Sequence, residues 1–464
     1  VTLRGSTRLS PGLWARRYRA DDGEQQPISV VEREFGLETQ RKRHGLDLMR
    51  PVVEALGNPH LRYPVIHITG SKGKGSTAAI AASLLKAAGY RVGLYTSPSL
   101  TSFNERIQVD AVPVTDEELD RHVRELLQTL DRHGLPRPRF FEAATAVAFV
   151  HFARQEVDVA VVEVGVGGRR DATNVVRPAV SVITTVELEH TAILGDSLEH
   201  IAAEKAGIVK APAPVVTGVT ADPAREVVLQ RAGEQRVKCY ELGRHFDAIV
   251  RAPGRTEQRF DFVCSADGSF ESYRDLRLPL AGTFQCRNAA LAIAAVRAVP
   301  AFASQLNEAA IRRGLAAARW PGRLELRRRG ETDMLLDVAH TPESVSALCE
   351  YVGEHFAEKR PHVLILGILR DKALDQIAQI LAPEFDLVIA APVKWYRSAE
   401  PEAVQAECLA AGIPCRIAGS IREAVLQGFA EASGGLLVIA GSVFAVGEAK
   451  RAFGWTEDTT AAQP

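Results

Sequence analysis

The sequence predicts an α/β protein with a mainly parallel sheet, followed by a second and smaller α/β unit. Three observations carry that expectation. From residue 65, β-branched runs such as "VIHIT", "VDVAVVEVG" and "AVSVITTV" alternate with alanine- and leucine-rich patterns such as "TAAIAASLLKAAG" and "ATAVAFVHFARQE", the rhythm of parallel strands covered by crossover helices. After "WPGR", residues 320–323, the rhythm restarts with "DMLLDVAHTPESVSALCEYV", "HVLILGIL", "DLVIAAP" and "GGLLVIAGSVFAVGEAKRAF". The chain has 464 residues, 46% hydrophobic and 24% charged, so at roughly 150 residues per domain it forms two or three globular domains, each able to bury a core.

The elements follow in order. Residues 1–27 are basic and then polar without a clear period, and are expected to be a flexible extension; the start at Val1 instead of Met suggests a trimmed or non-standard beginning. Residues 28–318 carry the first strand and helix series. Within them, residues 236–280 break the rhythm with "KCYELG", "FDFVCSA" and "ESYRDLRLPL", which read as a small antiparallel excursion. "NAALAIAAVRAV" and "NEAAIRRGLAAARW" return to helix. Pro321 and Gly322 mark a joint between domains, and 322–464 form the second one. There, Thr341 followed by Pro342 supplies an N-cap and a first-turn proline after the strand "MLLD". No short-period repeat or low-complexity tract is present.

Composition excludes several classes. Acidic and basic residues number 57 and 56, so no net field recruits nucleic acid or an anionic membrane. No apolar run reaches about 18 residues, and the amino-terminal stretch lacks the apolar centre of a secretory signal. The six cysteines are dispersed with no C-x-x-C pair, which suits reduced thiols in a cytoplasm better than a zinc knuckle or redox dithiol.

The chemistry is concentrated at "HITGSKGKGST", residues 67–77. An apolar strand, a glycine-rich turn and a helix opening at Lys74 are the parts of a phosphate cradle. Glycines let backbone N–H groups approach oxygen, the helix start adds positive potential and the lysine adds full charge. The match to G-x-x-x-x-G-K-[ST] is imperfect, with Ile68 at the first glycine and Gly75 after the lysine. A plain basic turn is the competing reading. Nucleotide chemistry also needs a divalent cation, and Glu163, ending "VDVAVVEV" before two glycines, lies where an α/β sheet gathers ligands. His190 and Lys205 in "EHTAILGDSLEHIAAEKAG" are candidates for metal and phosphate contact, although each alone also reads as structural.

The series "GSKGKGST", "GYRVGLYTSPSLTSFNERI", "FFEAATA", "VVEVGVGGRRDATNVV", "HTAILGDSLEHIAAEKAGIVK", "GTFQCRNAALAIAA", "WPGRLE", "LLDVAHTPES" and "GSVFAVGEAKR" resembles the folylpolyglutamate synthase and bifunctional dihydrofolate synthase family of the Mur ligase superfamily, from about residue 34 onward. The resemblance implies a P-loop Mur-ligase-like ATPase domain and a Rossmann-like carboxyl-terminal glutamate-ligase domain. It places ATP phosphates on Ser71, Lys72, Gly73, Lys74, Gly75 and Ser76, the adenine end at Asn288, and further nucleotide contacts at Arg323 and Asp337. Ser97 and Glu163 are implied to hold one Mg²⁺, and Glu163 and His190 a second. Lys205 matches the family's carbamylated lysine, a modification that turns a cation into an anion. His340 falls near the meeting of acyl phosphate and amine. Pterin contacts fall at Arg139, Phe140, Phe141, Glu142, Arg170, Asp171 and Ala172, where Phe140 and Phe141 read equally well as core aromatics at a helix entry.

The implied reaction is ATP-dependent amide ligation. A carboxylate attacks the γ-phosphate, and L-glutamate then displaces phosphate from the acyl phosphate, the acid being a folate or dihydropteroate. The expected partners are small molecules, with no nucleic acid or membrane, and the expected state is a cytoplasmic monomer. Three departures bear on the acid: Ser99 replaces histidine in T-S-P-H, Val338 and Thr341 alter D-G-A-H-N, and Glu189 replaces aspartate before His190. A ligase for a non-folate acid, a non-catalytic nucleotide-binding relative and an unrelated P-loop kinase or GTPase are the alternatives.

Overall fold

The computed structural model describes residues 29–36, 46–265 and 270–455; the expected flexible extension, residues 1–27, lies outside them. The chain divides into two compact units that part between Glu325 and Leu326.

The first unit holds an eight-stranded sheet. Its strands are β1 (Val65–Thr69), β2 (Val92–Tyr95), β3 (Ile107–Val109), β4 (Val112–Pro113), β5 (Val159–Glu163), β6 (Pro178–Ile183), β7 (Val215–Thr217) and β8 (Cys239–Glu241). They lie in the order β4-β3-β2-β5-β1-β6-β7-β8. All neighbours from β2 to β8 run parallel, and β3 and β4 add an antiparallel edge. Strand β1 is buried on both faces: Ile66 and Ile68 enter one core with Leu84 and Ile293, while Val65 enters another with Tyr95 and Phe149. That two-sided burial explains why "VIHIT" is nearly continuously apolar.

One expectation is corrected here. The segment "KCYELG" is not part of an antiparallel excursion, because β8 pairs parallel with β7, Val215 opposite Cys239. The excursion is instead β9 (Phe246–Ala252), β10 (Gln258–Cys264) and β11 (Tyr273–Leu278), a three-stranded antiparallel sheet. Phe260, Phe262 and Leu276 from it join the core that also takes the helix Phe284–Arg297.

The second unit is a six-stranded sheet of β12 (Glu325–Arg329), β13 (Thr332–Leu336), β14 (His362–Leu366), β15 (Leu387–Ala390), β16 (Cys415–Ile417) and β17 (Leu436–Ala440). The order is β12-β13-β17-β14-β15-β16, with parallel pairing from β13 to β16. The helix Pro342–Phe356 starts as the sequence predicts, with the Thr341 side chain accepting from the Ser344 N–H.

Candidate active site

Strand register sets the floor of the site. Ile68 lies opposite Glu163, Thr69 opposite Ile183, and Tyr95 opposite Val162. The segments that follow β1, β2, β5 and β6 therefore leave the sheet at one level, the carboxyl edge where α/β folds bind ligands.

The loop Gly70–Gly73 turns from β1 into the helix Lys74–Ala87. Gly73 has φ +80°, and a Cβ there would stand 2.4 Å from Asn288 Oδ1, so the turn requires glycine. A Cβ at Gly75 would stand 2.5 Å from the Trp320 ring. The loop is fastened to the segment after β6: Ser71 N–H donates to Thr185 O at 2.9 Å, Lys72 N–H to Thr185 Oγ1 at 2.9 Å, and Thr184 Oγ1 to Lys72 O at 2.5 Å. Glu187 N–H donates to Ser71 Oγ at 2.9 Å. Lys74 Nζ folds over the loop carbonyls, donating to Gly70 O at 2.8 Å and Ser71 O at 3.3 Å. Ser76 is buried in the first helical turn, and Lys72 is half-buried. Asn288 donates to Gln285 Oε1 at 2.9 Å, so Gln285 also belongs to this corner.

Glu163 ends β5 only 3% exposed and accepts from Ser97 N–H at 3.0 Å. Burial raises its pKa, against the pull of Lys74, the Ser97 N–H, Arg323 and Arg106. A desolvated carboxylate is a hard oxygen donor of the kind Mg²⁺ takes, and the neighbouring Ser97 is a second oxygen-bearing residue, so the residues fit the ion. His190 caps the short helix Thr191–Leu194 with φ +48° and is exposed. Among the described residues no group of three or more His, Cys, Asp or Glu side chains forms a ready-made metal cluster.

Lys205 is 1% exposed and pairs with Glu189 at 2.9 Å. Burial lowers its pKa to about 8, although Glu189 pulls the other way. For Glu189 burial opposes ionisation, yet the charges of Lys74 and Lys205 hold it below the usual carboxylate range. The departure from aspartate at this position thus has a structural partner.

The expected pterin contacts fall into two kinds. Phe140 and Glu142 are buried, and Glu142 caps the helix by accepting from Arg139 N–H at 2.9 Å. Asp171 is 1% exposed and accepts from Val166 N–H, Thr173 N–H and Thr173 Oγ1, with Ala172 buried beside it. Phe141 and Arg139 are half-buried, and Arg170 is exposed. Phe141 lies over Gly165, where a Cβ would meet its ring at 2.5 Å. In the second unit, Asp337 Oδ1 accepts from Ala339 N–H at 2.8 Å. His340 Nδ1 lies 2.8 Å from Val338 O; a carbonyl only accepts, so Nδ1 carries the proton and Nε2 is the basic nitrogen of the neutral ring. Arg323 is half-buried after the helix Glu308–Ala317.

Thr184 and Thr185 fasten the loop but stand out in no sequence pattern, since each touches it from more than a hundred residues away; Trp320, the first residue of the joint "WPGR", also packs against it.

A phosphate loop with an acidic strand end, in a chain of two α/β units, is the architecture of a Mur ligase, and the Mur ligase middle domain matches residues 140–296 and the Mur ligase glutamate ligase domain residues 322–443. The folylpolyglutamate synthase of Lacticaseibacillus casei is 37% identical over 402 residues, 85% of this chain and 90% of that protein. The dihydrofolate synthase/folylpolyglutamate synthase of Bacillus subtilis is 39% identical over 337 residues, covering 71% and 76%. A structure of Mycobacterium tuberculosis folylpolyglutamate synthase complexed with ADP superposes with a TM-score of 0.80 at 35% identity, covering 88% of this chain and 94% of that one. The chain belongs to the folylpolyglutamate synthase family.

Proposed function

We propose that this chain is an ATP-dependent ligase that joins the amine of L-glutamate to the carboxyl group of a folate, lengthening tetrahydrofolate polyglutamates and also converting dihydropteroate to dihydrofolate. The observation that carries the reading is the convergence of Lys74, Ser97 and Glu163 at one sheet edge, in a chain that covers 90% of a folylpolyglutamate synthase at 37% identity.

The substrate carboxylate attacks the γ-phosphorus of ATP, ADP leaves, and the amine of glutamate then displaces phosphate from the acyl carbon. The loop Ser71–Ser76 holds the phosphates by backbone N–H groups, and Lys74 moves from its loop carbonyls to the transferring phosphoryl group. Asn288, Arg323 and Asp337 serve the nucleotide, and Arg139, Phe141 and Arg170 the acyl substrate. His340 serves the incoming amine through Nε2. Ser97 and Glu163 would hold one Mg²⁺, and Glu163 and His190 a second. Bound there, Mg²⁺ supplies charge neutralisation of phosphate oxygens. Lys205 is carbamylated in this reading; burial lowers its pKa to about 8, which raises the neutral fraction of the amine that attacks CO₂. A cytoplasmic, monomeric enzyme completes the reading.

Purified protein with ATP, Mg²⁺ and L-glutamate should release ADP and phosphate with tetrahydrofolate or dihydropteroate, and mass spectrometry should show one added glutamate. Lys74→Ala should lower that rate on the order of 100- to 1,000-fold; near-normal turnover would sink the loop assignment. Ser99, Val338 and Thr341 favour a second reading, ligation to a non-folate acid. Turnover with such an acid and none with folates would establish it, and no ADP with any acid would sink both.

A further inference from the structure

Arg106 ends the short helix Phe103–Arg106 and is 6% exposed. Its guanidinium carbon lies 5.6 Å from the centre of the Phe103 ring and 5.1 Å from that of Phe140, and those rings meet edge to face at 5.7 Å. Both rings lie within cation–π range of the guanidinium, which presents its donors in a rigid planar fork. One edge donor, Nε, reaches Ser99 Oγ at 3.2 Å. The neighbouring Glu105 gives its carboxylate to the N–H groups of Leu100, Thr101 and Ser102.

The backbone puts this cation beside the proposed chemistry. Thr96 N–H donates to Arg106 O at 3.0 Å, directly before Ser97, whose own N–H reaches Glu163 at 3.0 Å. The charge of Arg106 is felt at the Glu163 carboxylate. A buried guanidinium held between two phenyl rings, with its charge felt at Glu163, offers the planar donor fork that recognises a carboxylate by paired hydrogen bonds.

We propose that Arg106 is a binding residue for the acyl substrate, recognising its carboxylate, with Ser99, Phe103 and Phe140 fixing the direction of the guanidinium. This rests on the ligase reading above. It also gives Ser99 a purpose: the hydroxyl accepts from Arg106 at the position where the family motif has histidine.

The test uses the full chain and whichever folate acid the wild type turns over, with the corresponding carboxamide as a competitor. Arg106→Gln should raise KM for the acid about tenfold to a hundredfold, the loss of a charged hydrogen bond, leave KM for ATP within about twofold, and erase the preference for acid over carboxamide. Arg106→Lys keeps charge but not the planar fork, and should raise the acid KM by a smaller factor. It also carries the test should the glutamine variant fail to fold by circular dichroism. A folded variant with an unchanged acid KM, or with acid and ATP KM raised equally, would overturn the assignment of Arg106 alone. A wild-type protein inert towards every folate acid would overturn the ligase reading first, and this inference with it.

Discussion

Glu163 carries opposing forces on one side chain. At 3% exposure its charge is penalised by burial, which raises its pKa, while Lys74, the Ser97 N–H, Arg323 and Arg106 favour ionisation. Glu163→Gln keeps the shape and removes the charge. The expected outcome is a folded protein whose ADP release falls by on the order of a hundredfold or more, read by coupled assay beside a thermal melt. An active Glu163→Gln would show that this acid only caps a strand. The sequence announced Glu163 and Lys74 because one ends a strand before glycines and the other opens a helix after a glycine-rich turn, both local patterns. It gave no site role to Arg106, Thr185 or Trp320, which stand inside longer motifs; Thr185 receives the Lys72 N–H and Trp320 covers Gly75, both contacts from far along the chain. The same limit applies to Asp171. The resemblance implies a pterin contact there, and the sequence does not show that its carboxylate accepts from three donors of Val166 and Thr173.

The helix Lys74–Ala87 shows how an element is placed by what it lacks. Gly75 sits in its first turn, where alanine would improve helix propensity by about 1 kcal/mol. Packing decides the other way, because a Cβ there would stand 2.5 Å from Trp320 Cζ2. Gly75→Ala should therefore destabilise the protein by about 1–3 kcal/mol through overpacking, measured by urea unfolding. Adding Trp320→Ala should make the two changes less than additive. A stabilised Gly75→Ala would mean that the indole moves aside at no cost. Elements of this kind were legible where periodicity and caps agree, as at Thr341 and Pro342 or at the helix Leu198–Ala206 with its Ser197 cap. Strand β8 was misread because alternation in "KCYELG" identifies a strand without naming its partner or direction. The partner is fixed by the helix Ala224–Gln235, which carries the chain from β7 to a parallel neighbour.

For the molecule as a whole, groups whose pKa is shifted by burial make stability depend on pH. Four of the buried histidines, His60, His67, His122 and His151, lie in the unit Ser29–Glu325, and a fifth, His362, lies in the other unit, with both ring nitrogens near the backbone carbonyls of Glu384 and Phe356. Burial lowers the pKa of each of the first four, to about 4 for His60 and for His122. His122 and His151 also face each other at 3.1 Å, so one proton disfavours a second, while Glu118 pulls upward on both. These four imidazoles take up protons near pH 6.5 in an unfolded chain and only at lower pH in the folded one, at about 4 for His60 and His122. The unfolded state thus binds more protons in that window, and stability falls as pH drops through it. Urea midpoints should accordingly decline between about pH 6.5 and 4, and His122→Leu should flatten part of that slope. Hydrogen exchange at about pH 5 should show the helices Asp116–His133 and Phe140–Arg154 losing protection before β17 of the other unit. Equal protection loss in both regions, or a urea midpoint flat across the window, would show that the buried histidines do not govern the acid transition.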